Sequence, residues 1–360
     1  MRFLAMILFL AGIGFIIYSL ISRRSGMFTS GSSNLTNSLV GNGSGNRYSA
    51  WPEVSGQPEA LGVPLGHPAR PAAERLEAAL DSGFEERIKG RLQQQDARLS
   101  DQEWSWTWLE LKRFFLMSSI CANVPMYSKK ADEIWHEMLM FTRDYEQFCI
   151  RFCGEMIHHA PHGEQSRPSP SDRAWFDWLY NELFILSPVS GKVWGAFFKT
   201  PFSAQRLADL EGASNAELRE KWFHKKAVDR FTDVRETVDY LISRAQSQLH
   251  ASRNRDIDAV RQPGFNSSYD TTMGAAGILS GLLIFNTLSG SGQFQEQMDS
   301  AMTDKEREAS GDAQTIVNSS DSSIWHDDHP QDGSSCSSGS DGGSSCSSDG
   351  GSSCSSSCSS

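Results

Sequence analysis

Residues 100–120 read SDQEWSWTWLELKRFFLMSSI, and this stretch decides the fold class. Ser100 followed by Glu103 has the capping-box spacing: a serine hydroxyl that accepts from the N3 amide and a glutamate that can reach back to the cap amide. Behind it, Trp104, Trp108, Leu111 and Phe115 fall at i, i+4, i+7 and i+11, one face of a helix with 3.6 residues per turn. The same signals recur outward from there. Ala72 to Gln95 is rich in Ala, Glu, Arg, Leu and Gln, all strong helix formers. Pro170-Ser171 opens a run carrying Trp175, Trp178 and Leu179, Ser214 with Glu217 repeats the capping box, and Val228, Phe231, Val234, Val238 and Leu241 form a further stripe. No alternating β-branched run bounded by hairpin turns is present. The expected fold class is all-α, a helical soluble domain over residues 71–262.

The flanks read differently. Phe3 to Ile21 contains no charged residue, and nineteen residues form a helix of about 28 Å, close to the roughly 30 Å hydrocarbon thickness of a bilayer. The run is too long for a signal-peptide core, and no small-x-small cleavage site precedes Arg23-Arg24, so residues 3–21 are expected to be an N-terminal transmembrane helix. Residues 22–70 read as a flexible linker: Ser25 to Asn46 is uncharged and built largely of Ser, Gly, Asn and Thr, and Pro52, Pro58, Pro64 and Pro68 follow. Residues 273–288 (MGAAGILSGLLIFNTL) are a second candidate transmembrane segment. They are short for a span, and Gly277 and Gly281 form a small-xxx-small pair that lets helices approach closely in lipid. A glycine-rich hairpin or a core helix is the alternative for this segment.

The charge sits at one end. Residues 291–360 hold 12 acidic residues against Lys305 and Arg307, a net of −10 within a chain total of −11. Residues 1–290 are therefore nearly neutral, which excludes a basic nucleic-acid footprint and leaves the membrane and a protein partner as the expected contacts. The segment 291–360 is expected to be a disordered acidic Ser/Gly/Cys-rich tail. Its Cys336, Cys346, Cys354 and Cys358, with His326 and His329 beside Asp327-Asp328, could cross-link or capture soft metals, or be incidental thiols in a solvated spacer. Arg2 precedes the anchor, and Arg23, Arg24 and Arg47 follow it. That balance favours the helical domain on the cytoplasmic side of an inner or plasma membrane. Trp106 and Trp178 fall off the main stripes and are candidates for docking a partner helix or the membrane interface.

The densest chemistry lies in residues 129–162, KKADEIWHEMLMFTRDYEQFCIRFCGEMIHHAPH, which hold four of the nine histidines. Thr142 with Asp144 reads as an N-cap and first-turn acid, and Gly154 as a stop. The stretch thus divides into helices of roughly 129–140 and 143–153. Asp132 and His136 are i, i+4 on one face, as are Cys149 and Cys153. Imidazoles with a carboxylate suit zinc or iron, so Asp132, His136, His158 and His159 are the candidate metal ligands, with Cys149 or Cys153 able to add a thiolate. The competing reading has Trp135 in the core and the imidazoles capping separate helix ends. A Cys149–His158 thiol–base pair is a weaker catalytic reading, since a cysteine on an aromatic-rich face usually packs as a small hydrophobe.

The block D-E-I-W-H, T-R-D-Y, F-C and G-E-M-I-H-H-A-P resembles the motif of the glycine-rich-domain-containing protein family of plants and bacterial relatives. The positions that carry the resemblance are Asp132, Trp135-His136, Thr142, Tyr145, Cys149, Gly154, His158-His159 and Pro161, with KRFFLMSSI (112–120) resembling the preceding helix. The chain departs from that motif at His162, where an aromatic is usual. The resemblance covers roughly residues 100–162 and implies a domain, not a reaction. The function expected from the sequence is a membrane-anchored interaction or scaffold module; the alternative is a metal-dependent enzyme or metal-binding protein using the Asp132, His136, His158 and His159 block.

Overall fold

The computed structural model describes residues 51–159, 170–265, 277–290 and 292–311. The anchor at 3–21, most of the 22–70 linker and the cysteine-bearing part of the tail lie outside the described residues.

The described residues are helical, with no strand among them and one isolated bridge between Cys121 and Phe223. The chain runs through α1 (Arg70–Ala79), α2 (Ser82–Gln95), α3 (Asp101–Ile120), α4 (Lys129–Met140), α5 (Thr142–Phe152) and α6 (Pro170–Leu183). Short helices α7 (Ser190–Trp194), α8 (Ala204–Gly212), α9 (Asn215–Trp222) and α10 (Lys225–Arg230) lead to the long α11 (Thr232–Arg253). The order closes with α12 (Ile257–Val260), α13 (Ile278–Ser289), α14 (Phe294–Ala301) and α15 (Asp304–Ala309). The all-α expectation holds.

Helix α3 is buried along most of its length. Ser100 caps it, its side chain accepting from the Glu103 amide at 3.1 Å. The other half of the expected box is absent because the Glu103 carboxylate pairs with Lys130 on α4 instead. The stripe of Trp104, Trp108, Leu111 and Phe115 is buried, but so are Trp106 and Phe114 between its members and Leu116 just beyond them. Trp106 therefore docks no partner: its Nε1 donates to the Pro52 carbonyl at 2.9 Å. Trp178 is likewise internal, donating to Gln248 Oε1 at 2.8 Å. A helix enclosed on nearly every side buries the residues that periodicity alone would turn outward.

Three carboxylates make this enclosure possible. Glu110 on α3 accepts from Ser187 Oγ (2.7 Å), Tyr180 OH (2.7 Å), Trp194 Nε1 (2.8 Å) and Arg113 Nη1 (3.2 Å). Asp177 on α6 accepts from Arg173 Nε at 2.8 Å and from the Phe198 amide at 2.7 Å. Glu182 joins α6 to α11 and α13 through Gln248, Arg244, Tyr240 and Ser280. Each charge is out of water and satisfied, the condition under which a buried ion is tolerated.

Five boundaries differ from the sequence expectation. Ala72 to Gln95 is two helices, because Asp81 caps the second by accepting from the Phe84 amide at 3.2 Å, the local alternative that Asp offers to continuing a helix. The chain is already packed within the second half of the span expected as linker: Leu61 and Val63 are buried, and Arg113 Nε donates to the Leu61 carbonyl at 2.8 Å. The candidate span at 273–288 is, in its described part, a 12-residue helix packed on α6 and α11. Its Gly281 serves close approach inside the protein, since a Cβ there would lie 2.3 Å from the Val260 carbonyl. Among the described residues no helix is long and apolar enough to cross a membrane. Finally, the tail does not begin at 291. Phe294, Met298 and Met302 are buried, Thr303 and Glu306 form a reciprocal capping box, and the Phe197 amide donates to the Ser310 carbonyl at 2.9 Å. The domain thus extends well past 262, to 311.

His67, just before α1, carries a pH dependence. It is buried, its Nδ1 accepts from the Ala69 amide at 3.0 Å, and burial lowers its pKa from 6.5 to about 4. The unfolded chain binds this proton more tightly than the fold does. The stability contributed is therefore fully present above about pH 6.5 and is lost as pH falls toward 4. Urea denaturation should show about 2 kcal/mol of loss from this group between pH 7 and pH 5. His67→Asn keeps an acceptor for the Ala69 amide and cannot titrate, so its pH dependence should be shallower by that amount. An unchanged slope would refute the assignment.

Candidate metal centre

Two helices and the return of the chain after them build the site. Ser128 caps α4, accepting from the Ala131 amide at 3.2 Å. This places Asp132 in the first turn and His136 one turn later on the same face. Trp135 points inward between them in sequence, 5% exposed, with its ring 5.5 Å from Phe114 and 5.4 Å from Phe115. Helix α5 follows directly and ends at Gly154, whose φ of +79° turns the chain back. Glycine reaches that left-handed region without steric cost.

The returning segment 155–159 is clamped by a relay. Trp135 Nε1 donates to Tyr145 OH at 2.9 Å, and Tyr145 OH donates to the Ile157 carbonyl at 2.7 Å. The clamp delivers His159 to α4. Its Nε2 lies 2.7 Å from Asp132 Oδ1, and its ring stands edge-on to Trp135 at 4.5 Å. His136 Nδ1 lies 3.6 Å from Asp132 Oδ2, and the two imidazole centroids are 4.4 Å apart.

One donor atom from each of Asp132, His136 and His159 therefore falls within 4.8 Å of the other two. Metal–ligand bonds near 2 Å put neighbouring donors of one shell roughly 3–4 Å apart. The 3.6 Å from His136 Nδ1 to Asp132 Oδ2 lies in that range, and the 2.7 Å from His159 Nε2 to Asp132 Oδ1 is the closer spacing of a hydrogen bond. Asp132 and His159 are largely buried, whereas the His136 side chain is 57% exposed. The cluster thus has one wet side.

The other expected ligands are elsewhere. His158 is exposed and outside the cluster. Cys149 is buried, and burial pushes its thiol up to about 11. Cys153 donates to the Glu155 carbonyl at 3.1 Å, and burial raises its pKa as well. A nucleophilic cysteine needs the opposite shift, which disfavours the Cys149–His158 pair, and neither cysteine belongs to the cluster of donors.

His159 and Trp135 also line a cavity of about 570 Å³. Phe114, Met126 and Ile157 supply apolar wall, while Ser118 and the Glu155–His224 pair supply polar groups. Glu155 Oε1 is 3.4 Å from His224 Nδ1, and Lys226 Nζ is 3.1 Å from Glu155 Oε2. The sequence contained no signal for Glu155 and His224, because 69 residues separate two partners that only the packing of α10 beside α3 brings together.

Comparison with known proteins adds a family match and little more. No curated protein and no solved structure matches the chain. The glycine-rich-domain resemblance is overturned: the block that carried it lies within a span matched by a different and uncharacterised family. That family, described as UCP032817-like, matches residues 74–181, less than a third of the chain but all three members of the Asp132, His136 and His159 cluster.

Proposed function

We propose that the helical domain is a metal-binding unit that holds a divalent transition metal, zinc or iron, through Asp132, His136 and His159. The observation that carries this reading is the convergence of three donor atoms, from α4 and from the segment after α5, within 4.8 Å. Had the imidazoles been capping separate helix ends, they would have had no reason to share one carboxylate. Two imidazoles and one carboxylate are the donor set of zinc hydrolases and of non-haem iron centres, which keep coordination positions open.

The test is the metal content of the full chain, purified without a histidine tag, beside Asp132→Asn and His159→Ala. Near-stoichiometric zinc or iron is expected, with affinity reduced about 100-fold or more in His159→Ala, since removing one of three ligands leaves too few to hold the ion. A cooperatively folded protein that binds neither metal would refute it. That outcome would select the interaction or scaffold role, carried by the same domain without metal.

The uncharged run 3–21 is proposed as the membrane anchor, with the domain on the cytoplasmic side. Retention of the full chain in carbonate-washed membranes, and release of a variant lacking residues 2–24, is the expected result. Equal release of both would refute the anchor.

A further inference from the structure

We infer that the metal at Asp132, His136 and His159 is completed by an exogenous oxygen-anion ligand, a carboxylate or hydroxamate group, whose apolar body occupies the cavity beside His159 and Trp135. The inference rests on the metal reading above and deepens it.

Three features of the site lead to it. The first is ligand number. Zinc takes four or five ligands and iron six, yet among the described His, Cys, Asp and Glu residues only three converge. The second is charge. Asp132 is the single anionic donor, so a divalent ion with two neutral imidazoles retains a net charge of +1, which favours an anion over water in the open positions. The third is the wall. His159 belongs at once to the cluster and to the lining of the 570 Å³ cavity, where Trp135, packed against its ring at 4.5 Å, and Phe114, Met126 and Ile157 present apolar surface. A ligand whose head reached the metal would have its body against that wall. The cavity's own carboxylates are engaged: Glu155 pairs with His224 and Lys226, and Asp172 pairs with Arg206 at 3.4 Å.

The experiment uses the full chain loaded with cobalt(II), whose visible bands report its coordination. Acetohydroxamate and benzohydroxamate carry the same anionic head and differ in the apolar body. Both should shift the cobalt bands while the metal stays bound. Benzohydroxamate should bind about tenfold tighter, a difference of roughly 1.4 kcal/mol from burying its ring. Ser118, half-buried on α3, lines the cavity and is not a member of the metal cluster. Ser118→Trp should fill the space and erase the preference without weakening acetohydroxamate, and Ser118→Met serves if the tryptophan variant fails to fold.

Absence of bound cobalt would overturn the metal reading and this inference together. Stoichiometric cobalt whose bands neither hydroxamate moves, or that both hydroxamates strip away, would overturn the inference alone. Equal affinity for the two, or a preference that survives both cavity variants, would show that the body of the ligand lies elsewhere and would equally overturn it.

Discussion

Replacing Glu110 with glutamine is expected to destabilise the fold by about 3–5 kcal/mol, the cost of leaving a buried charge without its partner. The stranded charge is Arg113, 1% exposed, whose guanidinium donates to Glu110, Tyr180 and the Leu61 carbonyl. Glutamine nearly preserves the shape of Glu110, so packing is hardly altered. What changes is the charge, and with it the ability of one side chain to accept from Ser187, Tyr180, Trp194 and Arg113 together. An amide brings two N–H donors into a site already full of donors, which leaves hydroxyl and indole protons facing protons. Urea denaturation monitored by tryptophan fluorescence measures the loss. Removing both charges, as Glu110→Gln with Arg113→Met, should recover part of it, because the uncompensated cation is gone. A single-variant loss under about 1 kcal/mol would mean that water or a rearranged network replaces the carboxylate.

Trp135→Ala should cost about 3–5 kcal/mol, the range for truncating a large buried aromatic. The indole packs against Phe114, Phe115 and His159, so its removal opens a void at the junction of α3 and α4. It also removes the donor that holds Tyr145, whose hydroxyl anchors the segment delivering His159. Trp135→Phe separates the two roles. It keeps an aromatic ring in the core but removes the Nε1 donor and part of the ring volume, so stability should fall by about 1–3 kcal/mol, less than for alanine. Thermal denaturation of both variants measures the first role, and metal content measures the second. If Trp135→Ala unfolds at the temperature of the native chain, the indole is not part of the core that supports the site.

Much of the candidate site was legible before any coordinates. Asp132 and His136 share a face because a helix over 129–140 puts i and i+4 together, and the structure has that helix at Lys129–Met140. Thr142, expected as the next N-cap, is instead the first residue of α5, whose start carries no side-chain cap. His159 was legible only as a candidate. Nothing in its spacing distinguishes it from His158 next to it, and one of the two must face away from α4. The choice is made by Gly154 and by the Trp135–Tyr145–Ile157 relay, which set the register of the returning chain.

The misreadings share one cause. Trp106, Trp178, the helix Ile278–Ser289 and the trio Phe294, Met298 and Met302 all pack against elements distant in sequence, which composition or a single helical face does not reveal. Phe294, Met298 and Met302 repeat every four residues inside an acidic stretch, a pattern whose apolar stripe net charge conceals.

What the sequence by itself determined is the helical class, the helix starts at Ser100 and Ser214, the pairing of Asp132 with His136, and the concentration of charge in the C-terminal seventy residues. These are local properties: capping, a 3.6-residue period and side chains one turn apart act within a dozen residues of chain. Tertiary structure alone decided which histidine completes the cluster, where the domain ends, and that the Glu110 carboxylate gathers Tyr180, Ser187, Ser190 and Trp194 in addition to its own helix's Arg113. Those outcomes depend on contacts between residues up to about a hundred positions apart, and their free energy exists only once the chain has closed on itself.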